Sequence, residues 1–331
     1  GEAPIDGRAI GRDLGERGLP APARHGEREQ PAVVADRLQA LNGANADGET
    51  CQTIFNGTHQ YVLLNPGAGA RVVLSDLING ESTNRTVDFS AEDLGIPRAV
   101  RKYRAVTLTA EREFDGVWSL AGSYTWSTLR GNTEGGVRSD NGQTDVGLTV
   151  DFDLPGITDG TFGFSPNHRR HNFKLYGSYA PTDWLTLGFN AKVTSPRKFG
   201  CIGAVPASRD PDAAAFYGAN GTYCNLNADG SVRTAPAAPG EVLPPREIVR
   251  RGTAFESDWF TTLDLDARVE LPTDTFKAFF RVSVENVFNS RAELDFEERG
   301  TFNNGSPRAT YGAVSGYQDP RTFRLQLGVN F

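Results

Sequence analysis

The sequence lacks methionine, long apolar runs and a positive net charge, and each absence limits the classes of protein to which it can belong. No methionine occurs among the 331 residues, including at position 1, which predicts a processed or truncated piece of a longer product. No run of about 18 apolar residues is present, so there is no candidate transmembrane helix. The formal net charge of -7 argues against a nucleic-acid partner.

Cysteine and histidine are also scarce, with three and four residues. They show no zinc-site spacing and no nucleophile–base pair stands out, so we expect neither an enzyme nor a cofactor. Cys201 and Cys224 flank one loop-like segment, and a disulfide between them is expected in an oxidising compartment, with unpaired thiols as the alternative. Cys51 is left over, and its partner would lie upstream of this chain.

What the sequence does contain is a two-residue apolar period. In the last nine residues, Phe323, Leu325, Leu327, Val329 and Phe331 alternate with polar or small residues, as in a strand with one wet and one apolar face. The period recurs six more times. It predicts strands over 101–114, 117–130, 169–180, 184–196, 257–271, 276–289 and 323–331.

The connections between these predicted strands alternate between short and long. Short turns at Asp115-Gly116, 181–183 and 272–275 separate the long segments 131–168, 200–255 and 292–318. Outer-membrane β-barrels have short periplasmic turns and long extracellular loops. The pattern therefore predicts an all-β, antiparallel transmembrane β-barrel, since a soluble sandwich or meander has no reason to make every second connection long.

Seven strands are too few for a complete barrel, because bacterial barrels need at least about eight and an even number. Either 52–98, with short strands at 61–64 and 71–74, supplies another, or the chain is the C-terminal portion of a larger barrel. The odd count and missing start favour a portion that is not closed on its own. Residues 1–50 lack aromatics and strand period; we expect them to be flexible or outside the fold, with 51–331 forming the barrel portion.

Several stretches together resemble TonB-dependent receptors of the Oar-like type, over about 60–331. These are Phe114–Ser127, Arg130–Gly136, Asp151–Gly156, Arg169–Tyr179, Asn286–Asn289 and Pro320–Leu325. The resemblance implies the last third of a barrel of about 22 strands. It also implies a plug domain and an N-terminal box that engages an inner-membrane energy transducer, neither of which is found in this sequence.

Position along the strands predicts roles for individual residues. Five polar residues are expected to face the barrel lumen: Asp264, Asp266, Arg268, Arg281 and Glu285. Trp118 and Trp184 beside the short turns, and Trp126 and Trp259 near the long loops, are expected to form two interfacial belts. The terminal Phe331 resembles the signal that barrel-assembly machinery recognises, an apolar β-edge suited to strand addition.

The long segments carry carboxylates and aromatics without a readable ligand pattern. The acidic residues between 131 and 168 fit no calcium-loop spacing, and we expect them to form a solvated acidic loop: Glu134, Asp140, Asp145, Asp151, Asp153 and Asp159. Phe216, Tyr217 and Tyr223 are expected either to contact a ligand or to pack their own loop.

These patterns predict an outer-membrane receptor segment for TonB-linked uptake of a scarce solute. Its expected partners are outer-membrane lipid, the barrel-assembly machinery, a TonB-type energy transducer acting through a plug, and an unidentified small-molecule or peptide ligand. The alternative is a small self-contained outer-membrane barrel that acts as an anchor or adhesin.

Overall fold

A computed structural model of the chain describes residues 65–78, 81–143, 145–146, 149–271 and 277–330. The chain divides into two units, Gly1–Thr58 and His59–Phe331, and every described residue lies in the second unit. The predictions for 1–50, Cys51, the strand at 61–64, the turn at 272–275 and Phe331 fall outside the described residues.

Strands dominate the described part of the chain. They are β1 (Ala70–Ile78), β2 (Glu81–Phe89), β3 (Arg101–Arg112), β4 (Trp118–Gly131), β5 (Gly163–Phe164), β6 (His171–Thr182), β7 (Leu185–Thr194), β8 (Lys198–Phe199), β9 (Tyr223–Cys224), β10 (Glu247–Ile248), β11 (Phe255–Glu256), β12 (Phe260–Leu271), β13 (Lys277–Glu285), β14 (Glu293–Phe296), β15 (Val314–Tyr317) and β16 (Thr322–Asn330). The described α-helices are short: α1 (Ala91–Leu94), α2 (Pro155–Thr158) and α3 (Pro211–Phe216).

The seven long strands β3, β4, β6, β7, β12, β13 and β16 form one antiparallel sheet. Their spatial order follows their chain order, with β5 added beside β4, so each strand pairs with the one that precedes it in this series. The predicted all-β class is confirmed. Within the described residues the sheet has free edges at β3 and β16 and does not close into a barrel.

Side chains divide between the two faces of this sheet according to its register. One aligned row crosses six strands and is apolar: Trp118, Tyr179, Leu187, Ala267, Val282 and Leu325. The next row, on the opposite face, is polar or small: Ser119, Ser178, Gly188, Asp266, Ser283 and Arg324. The apolar face is uncovered, with Leu108 65% and Leu325 68% exposed.

The predicted strand over 276–289 is too long at its C-terminal end, because β13 ends at Glu285. Asn286 and Asn289 follow with φ of 51° and 53°, a left-handed conformation that asparagine tolerates better than most residues. The Asn286 side chain donates to the carbonyls of Ser290 and Asp319. The strand therefore gives way to a turn that these bonds stabilise.

The region before β3 contains one strand that the sequence predicts and one that it misses. The predicted strand at 71–74 lies within β1, and β1 pairs along its whole length with β2. The sequence of β2 begins Glu-Ser-Thr-Asn-Arg-Thr, which lacks the apolar alternation of the other strands. Its pairing with β1, rather than a pattern of its own, defines it.

Candidate functional site: the long-loop assembly

The segments 132–170, 195–259 and 286–321 pack together at one end of the sheet, and we call their described residues the long-loop assembly. Much of the buried core lies here rather than in the sheet: Ile157, Phe199, Val205, Ala213 and Cys224 are almost completely buried. Long connections of this kind are usually solvated. Burial of apolar groups instead gives the assembly a core of its own.

A disulfide within this assembly joins Cys201, which follows β8, to Cys224 in β9. Cys201 and Cys224 are bonded, with their Cα atoms 6.5 Å apart. Together with Val249 they form a buried cluster, on which Leu226, Val232 and Tyr311 pack. The two cysteines that the sequence pairs are thus brought together, and the bond ties the start of the segment 200–255 to β9.

Four aromatic rings connect the second and third loop segments. Phe199 stacks on Phe255 with ring centroids 5.0 Å apart, and Phe296 meets both rings edge-on. Tyr311 meets Phe255 edge-on at 5.8 Å, and its hydroxyl donates to the Gly200 carbonyl. Such pairs add about 0.5–1.5 kcal/mol each beyond area burial.

The prediction of a solvated acidic loop is wrong for Glu134, Asp140 and Asp151. Their carboxylates are buried beside arginine side chains. Arg138 Nε bonds Asp140 Oδ1 at 2.8 Å, and its Nη1 lies 3.7 Å from Asp151 Oδ1. Arg251 Nη2 bonds Asp140 Oδ2 at 2.9 Å and lies 3.8 Å from Glu134 Oε1. Arg251 comes from the second loop segment, so the network joins two segments that no local pattern connects.

Burial and charge shift the pKa of several groups in the assembly. Burial alone would raise the pKa of Asp140, but Arg138 and Arg251 outweigh it and lower that pKa to about 2. Burial raises the pKa of Glu298 to about 7, against the opposing effect of its partner Arg197. The surroundings of the two carboxyl groups therefore shift their pKa values in opposite directions.

His168 is a buried neutral histidine at the entry to β6. Its Nδ1 accepts a hydrogen bond from the Leu129 amide over 3.2 Å, and its ring stacks on Phe164 with centroids 4.6 Å apart. Burial, together with Arg170, Lys198 and further cations, lowers its pKa to about 4. The bond that it accepts requires the neutral form of this ring nitrogen.

A groove of about 600 Å³ opens in the assembly. Its lining includes Arg209, Tyr223, Asn225, Pro244, Pro245 and Arg246. Of the three aromatics with an open role, Tyr223 reaches this groove and donates to Asp159 Oδ2 over 2.6 Å. Tyr217 packs on the cluster around Ile157, while Phe216 is exposed. The sequence analysis did not identify the two arginines of the groove. The run Pro244-Pro245-Arg246, a cation next to rigid apolar residues, is the feature of the sequence that could have indicated Arg246.

The five residues predicted to face the lumen share the polar face of the sheet. Asp264 accepts from Asn190 Nδ2 over 3.0 Å and from the Asn286 amide over 2.9 Å. Across neighbouring strands, Asp266 pairs with Arg281 at 2.6 Å and Glu285 with Arg324 at 3.2 Å; along β12, Arg268 pairs with Glu270 at 2.7 Å. Whether this face borders a lumen stays a prediction.

The four tryptophans lie at the two ends of the apolar face. Trp118 begins β4 and Trp184 lies in the turn before β7, whereas Trp126 and Trp259 lie near the long loops. All are exposed. Trp118 and Trp126 are about 27 Å apart along β4 at the usual rise of a strand, comparable with the roughly 25 Å apolar band of outer-membrane barrels. The interfacial belts themselves stay a prediction.

Two features are absent from the described residues. No helix among them is long and apolar enough to cross a membrane. No group of three or more histidine, cysteine or acidic side chains in the described ranges is arranged to hold a metal ion.

The class that the fold and the loops define is an antiparallel β-barrel wall, present here as an open portion with an elaborate loop assembly at one end. No protein-family model matches the chain. The sequence is 27% identical over 230 residues to the TonB-dependent transporter Oar of Myxococcus xanthus, a match that covers 69% of this chain and 17% of that protein. A solved structure of P. aeruginosa FpvA bound to heterologous pyoverdines matches 77% of this chain and 22% of that chain, with 15% identity and a TM-score of 0.34.

The predicted resemblance to TonB-dependent receptors of the Oar-like type is confirmed by the sequence match to Oar. The chain is related to a portion of such a receptor and spans less than a fifth of the length of this curated relative.

Proposed function

We propose that the chain forms part of the wall and the outer mouth of a bacterial outer-membrane receptor that takes up a scarce solute with energy from a TonB-type transducer. The long-loop assembly would capture the solute outside the cell. A plug domain elsewhere in the protein, moved by the transducer, would then let it pass.

The observation that carries this proposal is the uncovered apolar face of the sheet. Aligned rows rich in Leu, Val, Phe, Tyr and Trp each cross several of the long strands, and together they cover all seven. A soluble protein rarely leaves a contiguous apolar surface of this extent in water, whereas lipid would cover it without cost. The similarity to a TonB-dependent transporter supports the same placement.

The polar face supports the second half of the proposal, a plug inside the barrel. Lys174 and Lys192 lie directly opposite each other there, and two like charges at this spacing repel. Acidic groups of a plug would relieve that repulsion. The ion pairs at Asp266 and Glu285 would keep the rest of the wall hydrated and polar.

A depletion experiment tests uptake even while the solute is unidentified. Three strains are grown in the same medium: the parent, a deletion of the gene that encodes this chain, and a deletion of the energy transducer. We expect at least one compound to remain in the medium of both deletion strains, and to be consumed again when the receptor gene is restored. No shared compound, or unchanged consumption without the transducer, would contradict the proposal.

A further inference from the structure

We propose that the groove of the long-loop assembly binds an organic carboxylate with an apolar body, and that Arg246 receives the carboxylate. The inference rests on the proposed receptor function and names the chemical class of ligand that the loops capture.

Arg246 is a half-buried cation for which the described residues provide no carboxylate partner. Its Nε donates to the Ala204 carbonyl over 2.9 Å, and its Nη1 to the Gly305 carbonyl over 3.4 Å. Burial lowers its pKa, because no anion compensates for the lost hydration. The remaining N–H groups of the guanidinium can form charge-assisted bonds to a carboxylate.

Arg209 lines the same groove but, unlike Arg246, is paired with a carboxylate. Its Nε and Nη2 bond the two carboxylate oxygens of Asp159 at 2.8 and 3.2 Å, and Tyr223 donates to the same carboxylate. The charge of Arg209 is therefore already neutralised. Of the two arginines in the groove lining, Arg246 is the one left for an incoming anion.

The backbone keeps room for the Arg246 guanidinium. Gly305 has φ of +80°, and a Cβ at this position would stand 1.9 Å from Arg246 Nη1. Any larger residue at 305 would strain the backbone and displace the guanidinium. Glycine at this position is what permits the close approach.

A second polar group in the lining lacks a partner. Asn225 is 3% exposed, and its Oδ1 has no hydrogen-bond partner among the described residues. A buried acceptor without a hydrogen-bond partner is destabilising. Asn225 is therefore a second polar residue of the lining that is not fully paired within the described part of the chain.

The apolar residues of the groove lining indicate what kind of molecular body, beyond the carboxylate, the groove accepts. Pro206, Pro244, Pro245 and Leu243 supply apolar surface, and proline offers no backbone N–H donor. The volume of about 600 Å³ lies within the range of small-molecule sites. A compact molecule with an aromatic or aliphatic body fits these walls better than a highly hydrated ion.

The first test compares two probes on the unmodified protein, purified at full length in detergent. Acetyl-Gly-Phe with a free carboxylate is measured against the same dipeptide with a C-terminal amide, by saturation-transfer NMR and calorimetry. Both probes offer N–H donors and an apolar ring. We expect the acid to bind at least about tenfold more tightly; equal affinities, or no binding of either probe, would overturn the proposal.

The second test uses matched variants. Arg246→Gln should weaken binding of the acid about tenfold, whereas Arg233→Gln, an arginine outside the groove lining that pairs with Glu241, should not. Protease resistance of the loop assembly verifies that each variant folds, and the probe comparison above stands without any variant. Unchanged affinity in Arg246→Gln, or equal loss in both variants, would overturn the assignment.

The two proposals fail in different ways. Binding in detergent needs no energy transducer, so loss of carboxylate selectivity with normal transducer-dependent depletion would overturn only the groove. Selective binding without transducer-dependent depletion would overturn only the uptake function.

Discussion

At the scale of single residues, buried polar side chains decide whether the long loops keep one conformation. Arg138 is 1% exposed and compensates Asp140 and Asp151. Removing one member of such a buried pair typically costs about 3–5 kcal/mol, because the remaining charge is left without compensation. These loops are ordered by specific pairs of charges rather than by secondary structure.

The pH response of His168 provides a residue-scale prediction. Its pKa is lowered from 6.5 to about 4, so its contribution to stability is present above pH 6.5 and is lost as the pH falls toward 4. We expect the long-loop assembly to be more sensitive to protease at about pH 5 than at pH 7. His168→Gln keeps an acceptor for the Leu129 amide and gains no proton, so this difference should shrink.

The control is His171→Gln, three positions along the chain, which should leave the pH response intact. The raised pKa of Glu298 acts in the opposite direction, since its contribution is lost as the pH rises through about 7. Comparison of variants therefore isolates His168. An identical pH response in His168→Gln and the parent protein would refute this interpretation.

The charged residues of the loops show what the sequence leaves undetermined at this scale. Arg251 and Asp140 are 111 positions apart, and neither lies in a periodic segment. From the sequence alone the acidic segment is therefore predicted to be solvated, because its arginine partner Arg251 is distant along the chain. Polar positions on strands were easier to assign, because alternation alone puts Asp264 and Asp266 on one face.

At the scale of elements, each long strand was predictable because a two-residue period determines both its existence and its faces. The predicted strand over 101–114 corresponds to β3, and that over 257–271 to β12, with shifts of a few residues at the ends. The short strands β8 to β11 were not predictable. Each is two residues long, and long-range pairing rather than local pattern defines it.

The two faces of β6 provide an element-scale prediction. Leu175 lies on the apolar face, aligned with Gly122 and Ala191, and Tyr176 lies on the polar face next to it. An arginine on a lipid-facing position costs about 2–4 kcal/mol at mid-bilayer. We expect Leu175→Arg to lower the urea midpoint of unfolding in lipid vesicles, and Tyr176→Arg to leave it nearly unchanged. Equal effects of the two variants would argue against a lipid-facing side.

The disulfide provides a second prediction at this scale. Its cysteines are separated by 23 positions, and closing a loop of this length stabilises by about 3 kcal/mol on the chain-entropy estimate. Replacing both Cys201 and Cys224 by serine should lower the denaturant concentration at which the long-loop assembly becomes protease-sensitive. Cys51→Ser, which leaves this bond in place, is the control. No change in the double variant would show that the surrounding clusters alone hold the loops.

At the scale of the whole molecule, the chain combines a two-faced sheet with a separate core at one end. The alternation of short and long connections predicted that the long segments lie together at one end of the sheet. It did not predict the internal packing of the loops or the groove, because those depend on contacts among all three long segments. The described strands end at two free edges, so the self-contained barrel of the alternative hypothesis is not found among them.

The most direct test of the account is a spin-label accessibility scan along β16, with the protein in lipid vesicles and Cys51 replaced by serine. Labels placed singly at 323 to 329 are exposed in turn to oxygen, which partitions into lipid, and to a nickel chelate, which stays in water. The account predicts high oxygen accessibility at Phe323, Leu325 and Leu327, and high chelate accessibility at Arg324 and Gln326. Uniform accessibility, or oxygen maxima at the polar positions, would contradict the membrane-facing sheet.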